Sequence, residues 1–375
     1  MAALGPVLFQ AYELTRNSLE HSRSTFTRLI PTGIFAPENI NIGIFGMGPF
    51  QQTSEGKAML KADLAGVFPR SETLVEATRA NVRGRLSREQ LDAAFDRDYA
   101  ALVSLQMEAD LDPIVDGQLN WQDHFRPFSE LFTGIKVGSL TRWFDNNTFY
   151  RQPIISGKIG YRGTSLQRYF RGDILPAEGR KKAVLPGPLT FAKLSQNMAY
   201  RSLADLVEDL ARALKDTTTE LSKAGYEYFQ FDEPALVFDQ IGKEELEAAR
   251  RGFEICATGT GGEVALKTYF GDVGHIMNAL LDFPVDCIGI DLYATSIESL
   301  AKYDFDISLS CGCVDGRNSL VESPNDLKGL LARVRDNVRS EQLVISPNCD
   351  LEFLPYSVAE KKVRLLSETR KVVSE

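Results

Sequence analysis

Eight short strand-like runs recur between helical stretches over residues 63–346, and this rhythm limits the fold more than any other property of the chain. The runs lie at 63–70, 113–117, 183–188, 226–232, 262–266, 287–291, 307–311 and 343–346. Between them, the apolar spacing predicts amphipathic helices at 87–108, 203–224, 273–281 and 327–338. Ser87 and Gln90 have the three-residue separation of a capping box at the start of the first of these. Strands that alternate with helices build a parallel sheet, and eight repeats predict an α/β fold of the (β/α)8 TIM-barrel class. Residues 59–375 form that barrel in this reading. Residues 1–58 form an N-terminal extension of hairpin or helix, available as an interface. Within it, 40–45 alternates as a strand does.

A chain of 375 residues can bury a core of barrel size. Hydrophobic residues make up 43% and charged residues 25%, ordinary for a globular domain. A net charge of −9 argues against sequence-independent binding to nucleic acid and against an anionic membrane surface. No apolar run approaches the roughly 18 residues of a membrane span, and the start of the chain lacks the basic leader of a signal peptide. Five cysteines, an odd number spread through a long chain, point to reduced thiols and a cytoplasmic location.

Chemistry in such barrels gathers at the C-terminal ends of the strands. Asp116, Asp232, Glu233, Lys267, Tyr269, Asp291, Cys311 and Cys349 all fall there. Polar residues also begin wherever a strand ends, but so many together favour a polar pocket. Asp232 and Glu233 are adjacent, so only one of them can aim into the barrel. A carboxylate there suits a substrate ammonium group or proton transfer. Two readings stand for the cysteines. Cys311, Cys349 and a nearby carboxylate can supply zinc ligands, as can the spaced pairs Glu254-Ile-Cys256 and Cys311-Gly-Cys313; alternatively they are small buried side chains. Of the three histidines, His124 is the one expected to face a pocket.

Several strings resemble the cobalamin-independent methionine synthase family. They are Gly66-Val-Phe-Pro-Arg70, Asp116-Gly-Gln-Leu-Asn-Trp-Gln-Asp-His124, Leu140-Thr-Arg-Trp-Phe-Asp-Asn-Asn147, Leu185-Pro-Gly-Pro-Leu-Thr190, Gln230-Phe-Asp-Glu-Pro-Ala-Leu236, Gly312-Cys-Val-Asp-Gly-Arg-Asn318 and Ser346-Pro-Asn-Cys349. They occur in the family's order over about residues 60–370. The family protein usually has two barrels, and the C-terminal one holds zinc on His-x-Cys, a Glu and a Cys. Here the corresponding places hold Lys267, Tyr269, Asp291 and Cys349. Lysine at neutral pH offers no lone pair and tyrosine is a poor zinc ligand. Thr268-Tyr-Phe270, Trp143-Phe-Asp-Asn-Asn147 and Gly316-Arg-Asn318 resemble the family's zinc-free N-terminal barrel, carried in this reading by a stand-alone chain.

The resemblance implies methyl transfer from a methyltetrahydrofolate-type donor to the thiol of homocysteine, in methionine biosynthesis. Asp232, Lys267 and Asp291 are its catalytic candidates, with Asp232 holding the substrate amine and Lys267 substituting for the missing metal charge. Asp116, Trp121, Glu233 and Tyr269 are its substrate-binding candidates, and Arg70, Arg79 and Arg83 would receive the donor's polyglutamate tail. Trp121 and Trp143 either stack on a pterin ring or pack in the core. The expected partner is a separate zinc-bearing core barrel, or a second copy of the chain, and no resident cofactor is assigned. In the alternative, an autonomous thiol methyl- or alkyltransferase rebuilds a zinc site from Cys349, Cys311 and Asp291.

Overall fold

The structure, a computed structural model, describes residues 60–163 and 166–374. The extension expected at 1–58, with its strand-like run, lies outside them. Eight parallel strands make one curled sheet: β1 (Lys61–Ala62), β2 (Ile114–Val115), β3 (Lys181–Pro186), β4 (Tyr226–Asp232), β5 (Glu263–Lys267), β6 (Cys287–Asp291), β7 (Ser308–Val314) and β8 (Leu343–Pro347). Their order is β1-β8-β7-β6-β5-β4-β3-β2, so neighbours in the chain are neighbours in the sheet except at its two ends. Those ends meet through Asp112 N, which donates to Ala62 O at 2.9 Å, and Phe68 N, which donates to Gly117 O at 3.0 Å. This is the barrel that the alternation predicts.

Side chains alternate across the sheet with the period of two that a strand imposes. Tyr228 packs with Ala265 and Cys287 inside the barrel, apart from the main core. Phe229 and Phe231 point outward instead, and Phe231 meets Phe253 of helix Lys243–Ala257 edge-on at 5.7 Å. The interior also carries a buried ion pair, in which Lys182 Nζ lies 2.7 Å from Asp63 Oδ2 and donates to Leu64 O at 2.7 Å. The strand expected at 63–70 is not there: β1 ends at Ala62, and residues 63–70 form a loop. Asp63 N still bonds Ile345 O, but its side chain and the next carbonyl serve Lys182, and the chain then leaves the sheet as a loop.

Helix Arg88–Glu108 starts at Ser87 with the predicted capping box: Gln90 N donates to Ser87 Oγ, and Ser87 N donates to Gln90 Oε1. Helices Leu203–Lys223 and Pro324–Asn337 match their expected places. The helix expected at 273–281 is reduced to one turn, Met277–Leu280. The preceding loop turns through Phe270 at φ 73° and spends Val273 N on Thr295 Oγ1 rather than on a helical carbonyl.

One large element has no counterpart in the sequence reading. Between β2 and β3, strands Phe132–Arg142 and Phe149–Tyr161 form an antiparallel hairpin. Its turn is drawn tight by Trp143 N donating to Thr148 O at 2.8 Å, and it sets Trp143 beside the mouth of the barrel. No helix among the described residues is long and apolar enough to cross a membrane.

Candidate functional site

The polar groups at the barrel mouth come from β4, β5 and the loops after β2 and β8. At the end of β4, Asp232 turns inward and Oδ1 accepts from Gln230 Nε2 at 2.6 Å. Its other oxygen lies 3.5 Å from the Tyr269 hydroxyl. Lys267, in register with Asp232 on the neighbouring strand, donates from Nζ to Ser346 Oγ at 2.9 Å across the barrel. Burial lowers the Lys267 pKa because no water solvates its charge. Asp232, Lys267 and Tyr269 are thus brought together.

Glu233 points to the other side, as adjacent strand residues must. Its carboxylate accepts from Leu189 N at 2.8 Å, Thr190 N at 2.7 Å and Thr190 Oγ1 at 2.6 Å, closing the N-terminus of helix Pro188–Leu194. A Cβ on Gly187 would lie 2.2 Å from that carboxyl group, so glycine is what lets it approach the helix end. Glu233 builds the scaffold and does not face the mouth.

The loop after β8 brings in a second group. Asp350 is 1% exposed, and its Oδ1 accepts from Val67 N at 2.7 Å. A Cβ on Gly66 would stand 2.8 Å from that oxygen, so this contact also depends on glycine. Asp350 Oδ2 is buried and has no hydrogen-bond partner. Burial, and then repulsion between the Asp232 and Asp350 carboxylates, holds Asp232 above the ordinary carboxylate range. Two residues on, Glu352 Oε1 lies 3.0 Å from His124 Nε2. The His124 ring stacks on Trp143 with centroids 4.1 Å apart and planes 19° from parallel. Burial pulls the His124 pKa down, but the Glu352 carboxylate outweighs it and raises the imidazole to about 9. Ligand atoms of His124, Asp350 and Glu352 all lie within 4.8 Å of one another, the one such grouping of histidine, cysteine or carboxylate ligands among the described residues.

The four residues that the sequence resemblance sets against the family's zinc ligands are otherwise engaged or buried. Lys267 and Tyr269 are engaged as described. Asp291 Oδ1 accepts from Tyr293 N at 2.9 Å and Asn348 Nδ2 at 3.1 Å, and Oδ2 accepts from Phe270 N at 3.3 Å. Cys349 is fully buried, its thiol raised in pKa by that burial. Cys311 is in register with Ile290, whereas Asp291 is in register with Gly312. Cys311 and Asp291 therefore point to opposite faces of the sheet, and the structure does not gather Cys311, Cys349 and Asp291 into one ligand set. Cys256 is likewise remote, its thiol turned to Ala211 O.

An open cleft of about 960 Å3 runs outward from this region between the loops after β1, β2 and β8. Arg70, Arg79, Trp121 and Glu352 line it, and Arg83, exposed at the C-cap of helix Glu72–Val82, does not. Arg70 donates from Nε to Leu119 O at 2.6 Å and from Nη2 to Trp121 O, so it braces the loop as well. Trp121 is packed edge-on to Phe128 and Phe170, with Nε1 donating to Tyr169 O at 2.9 Å. Asp116 is buried outside the cleft lining, and its oxygens accept from Gln118 N and Arg171 N, both at 2.9 Å.

Sequence reasoning singled out His124 but passed over Asp350 and Glu352. The available signal was Asp350-Leu-Glu352, two acids spaced by two residues directly after the last strand.

Comparison with known proteins bears on the family and the fold. The family model for the N-terminal domain of cobalamin-independent synthase matches residues 133–339. A methionine synthase of Saccharolobus solfataricus is 29% identical over 322 residues, covering 84% of this chain and 96% of that protein. One from Sulfurisphaera tokodaii is 26% identical over 319 residues, with coverages of 84% and 93%. Among solved structures, a B12-independent methionine synthase of Shewanella sp. W3-18-1 in complex with selenomethionine superposes with a TM-score of 0.72 at 20% identity, covering 84% of this chain and 98% of that one. A methyltransferase of Methanosarcina mazei gives a TM-score of 0.55 at 13% identity, with coverages of 84% and 95%.

Proposed function

Because the chain belongs to the cobalamin-independent methionine synthase family, we propose that it serves methyl transfer to the thiol of homocysteine as an N-terminal-type barrel acting with a separate zinc-bearing core barrel. The observation that carries this reading is the mouth itself. Where the family places zinc ligands, this chain has a buried lysine bonded to Ser346 and an aspartate saturated by Tyr293, Asn348 and Phe270. Thiol activation by zinc at those places has no ligand set to rest on. Asp232, buried and raised in pKa, becomes ionised when a cationic group neutralises it, which suits a substrate amine. In the cleft, Arg79 is the guanidinium placed to meet a carboxylate of an elongated donor such as a folate, beside Glu72, Glu76 and Glu352 of the same lining and Arg70 that braces its loop.

A second reading is an autonomous thiol methyltransferase. It is favoured by the length of the relatives, since this chain covers 96% of a Saccharolobus protein called methionine synthase. A chain of one-barrel length thus carries that name.

Methionine formation from homocysteine and methyltetrahydrofolate, assayed with the purified chain alone and with a zinc-bearing core barrel added, separates the two. The first reading expects product only when both proteins are present, and loss of that product in Asp232→Asn. Turnover by the chain alone contradicts the first reading and supports the second. No turnover with either arrangement contradicts both.

A further inference from the structure

We infer that His124, Asp350 and Glu352 form a binding site for a divalent transition metal, of the zinc class, buried behind the cleft wall to which Glu352 contributes. This goes beyond the functional reading above and does not depend on it, because none of these residues occupies one of the family's zinc-ligand places.

Three observations carry it. The first is the ligand set, one imidazole nitrogen and two carboxylate oxygens within 4.8 Å of one another. Imidazole favours first-row transition metals over magnesium and calcium, which prefer oxygen alone. The spacing also fits. Ligands about 2.1 Å from a common metal lie roughly 3.0–3.4 Å apart for bond angles between square and tetrahedral. His124 Nε2 and Glu352 Oε1, 3.0 Å apart as a hydrogen-bonded pair, need only exchange the shared proton for the metal, the proton leaving to solvent.

The second is the orphan oxygen. Asp350 is 1% exposed, Oδ1 is held by Val67 N, and Oδ2 is buried without a partner. A buried carboxylate oxygen with no donor is costly, and a metal supplies what the protein does not. Asp232 and Glu352 add further carboxylates around Asp350, a concentration of negative charge that a metal cation offsets.

The third is support and access. Stacking on Trp143 fixes the His124 ring, and Val67 N together with Gly66 fixes Asp350. Ligands held by such neighbours are what distinguishes a built metal site from a chance cluster of acids. Glu352 lines the open cleft and gives the metal a way in.

The test uses the full chain, stripped with chelator and titrated with Zn2+ by calorimetry, followed by elemental analysis after desalting. One equivalent should be retained. Asp350→Asn and Glu352→Gln should each weaken binding by at least about tenfold, while Cys349→Ser leaves it unchanged. Co2+ loaded into the wild type should show ligand-field bands without thiolate-to-metal charge transfer, a readout that needs no variant to fold. Retention well below one equivalent would overturn the proposal. So would a thiolate charge-transfer band, or binding lost in Cys349→Ser and kept in Asp350→Asn.

Discussion

Glu233 shows how a residue's role is set by the face it takes. It follows Asp232 directly, and the two-residue period of the strand sends one carboxylate to the mouth and the other to a helix end. Burial raises Glu233 from an ordinary 4.5 to about 7, against three hydrogen bonds that lower it. Between those values the folded chain keeps a proton that the unfolded chain has released, so stability from this group falls as pH rises through the window. The advantage of wild type over Glu233→Gln should therefore shrink between pH 4.5 and 7 when urea midpoints are compared. An advantage that grows over that range contradicts the assignment. Lys182 and Asp63 make a second residue-scale case, since both are buried and 2.7 Å apart. Asp63→Ala strands the ammonium group inside the barrel and should cost about 3–5 kcal/mol in chemical denaturation. A loss below about 1 kcal/mol would mean that the pair is dispensable.

At the level of elements, the sequence was most legible where a local rule decides the outcome. The Ser87 and Gln90 capping box needs only residues three apart, and it occurs as predicted. Ser87→Ala should cost about 1 kcal/mol, measurable as a shifted urea midpoint, and no loss would show the cap to be idle. The eight strands were legible because each is an apolar run bounded by turn residues. The first was misplaced: the strand is Lys61–Ala62, and the run at 63–70 is a loop in which Asp63 and Leu64 O serve a distant Lys182, a need invisible locally. The hairpin between β2 and β3 alternates along 132–161, but glycines at Gly134 and Gly138 and shifts in register interrupt the pattern. Its consequence for the site, Trp143 laid on His124, is a contact between two loops that no periodicity encodes.

For the whole molecule, the fold and the family were readable from ordered motifs, while the working geometry of the mouth was not. Asp232, Lys267 and Tyr269 come together from adjacent strands, a proximity that barrel order makes foreseeable. His124 and Glu352 are 228 residues apart and meet because β1 lies between β2 and β8 and the loop after it bonds both following loops, Phe68 N to Gly117 O and Leu351 N to Val67 O. On the proposed reading the chemistry of this barrel therefore sits at Asp232, Lys267 and Tyr269 and the loops after β2 and β8, with no zinc held by Lys267, Tyr269, Asp291 and Cys349. The most direct measurement of that claim is anomalous X-ray scattering at the zinc edge from crystals of the full chain grown with Zn2+. The account predicts a peak bounded by His124, Asp350 and Glu352, with none at Lys267, Tyr269, Asp291 and Cys349. A peak coordinated by Cys349 and Asp291 would contradict it.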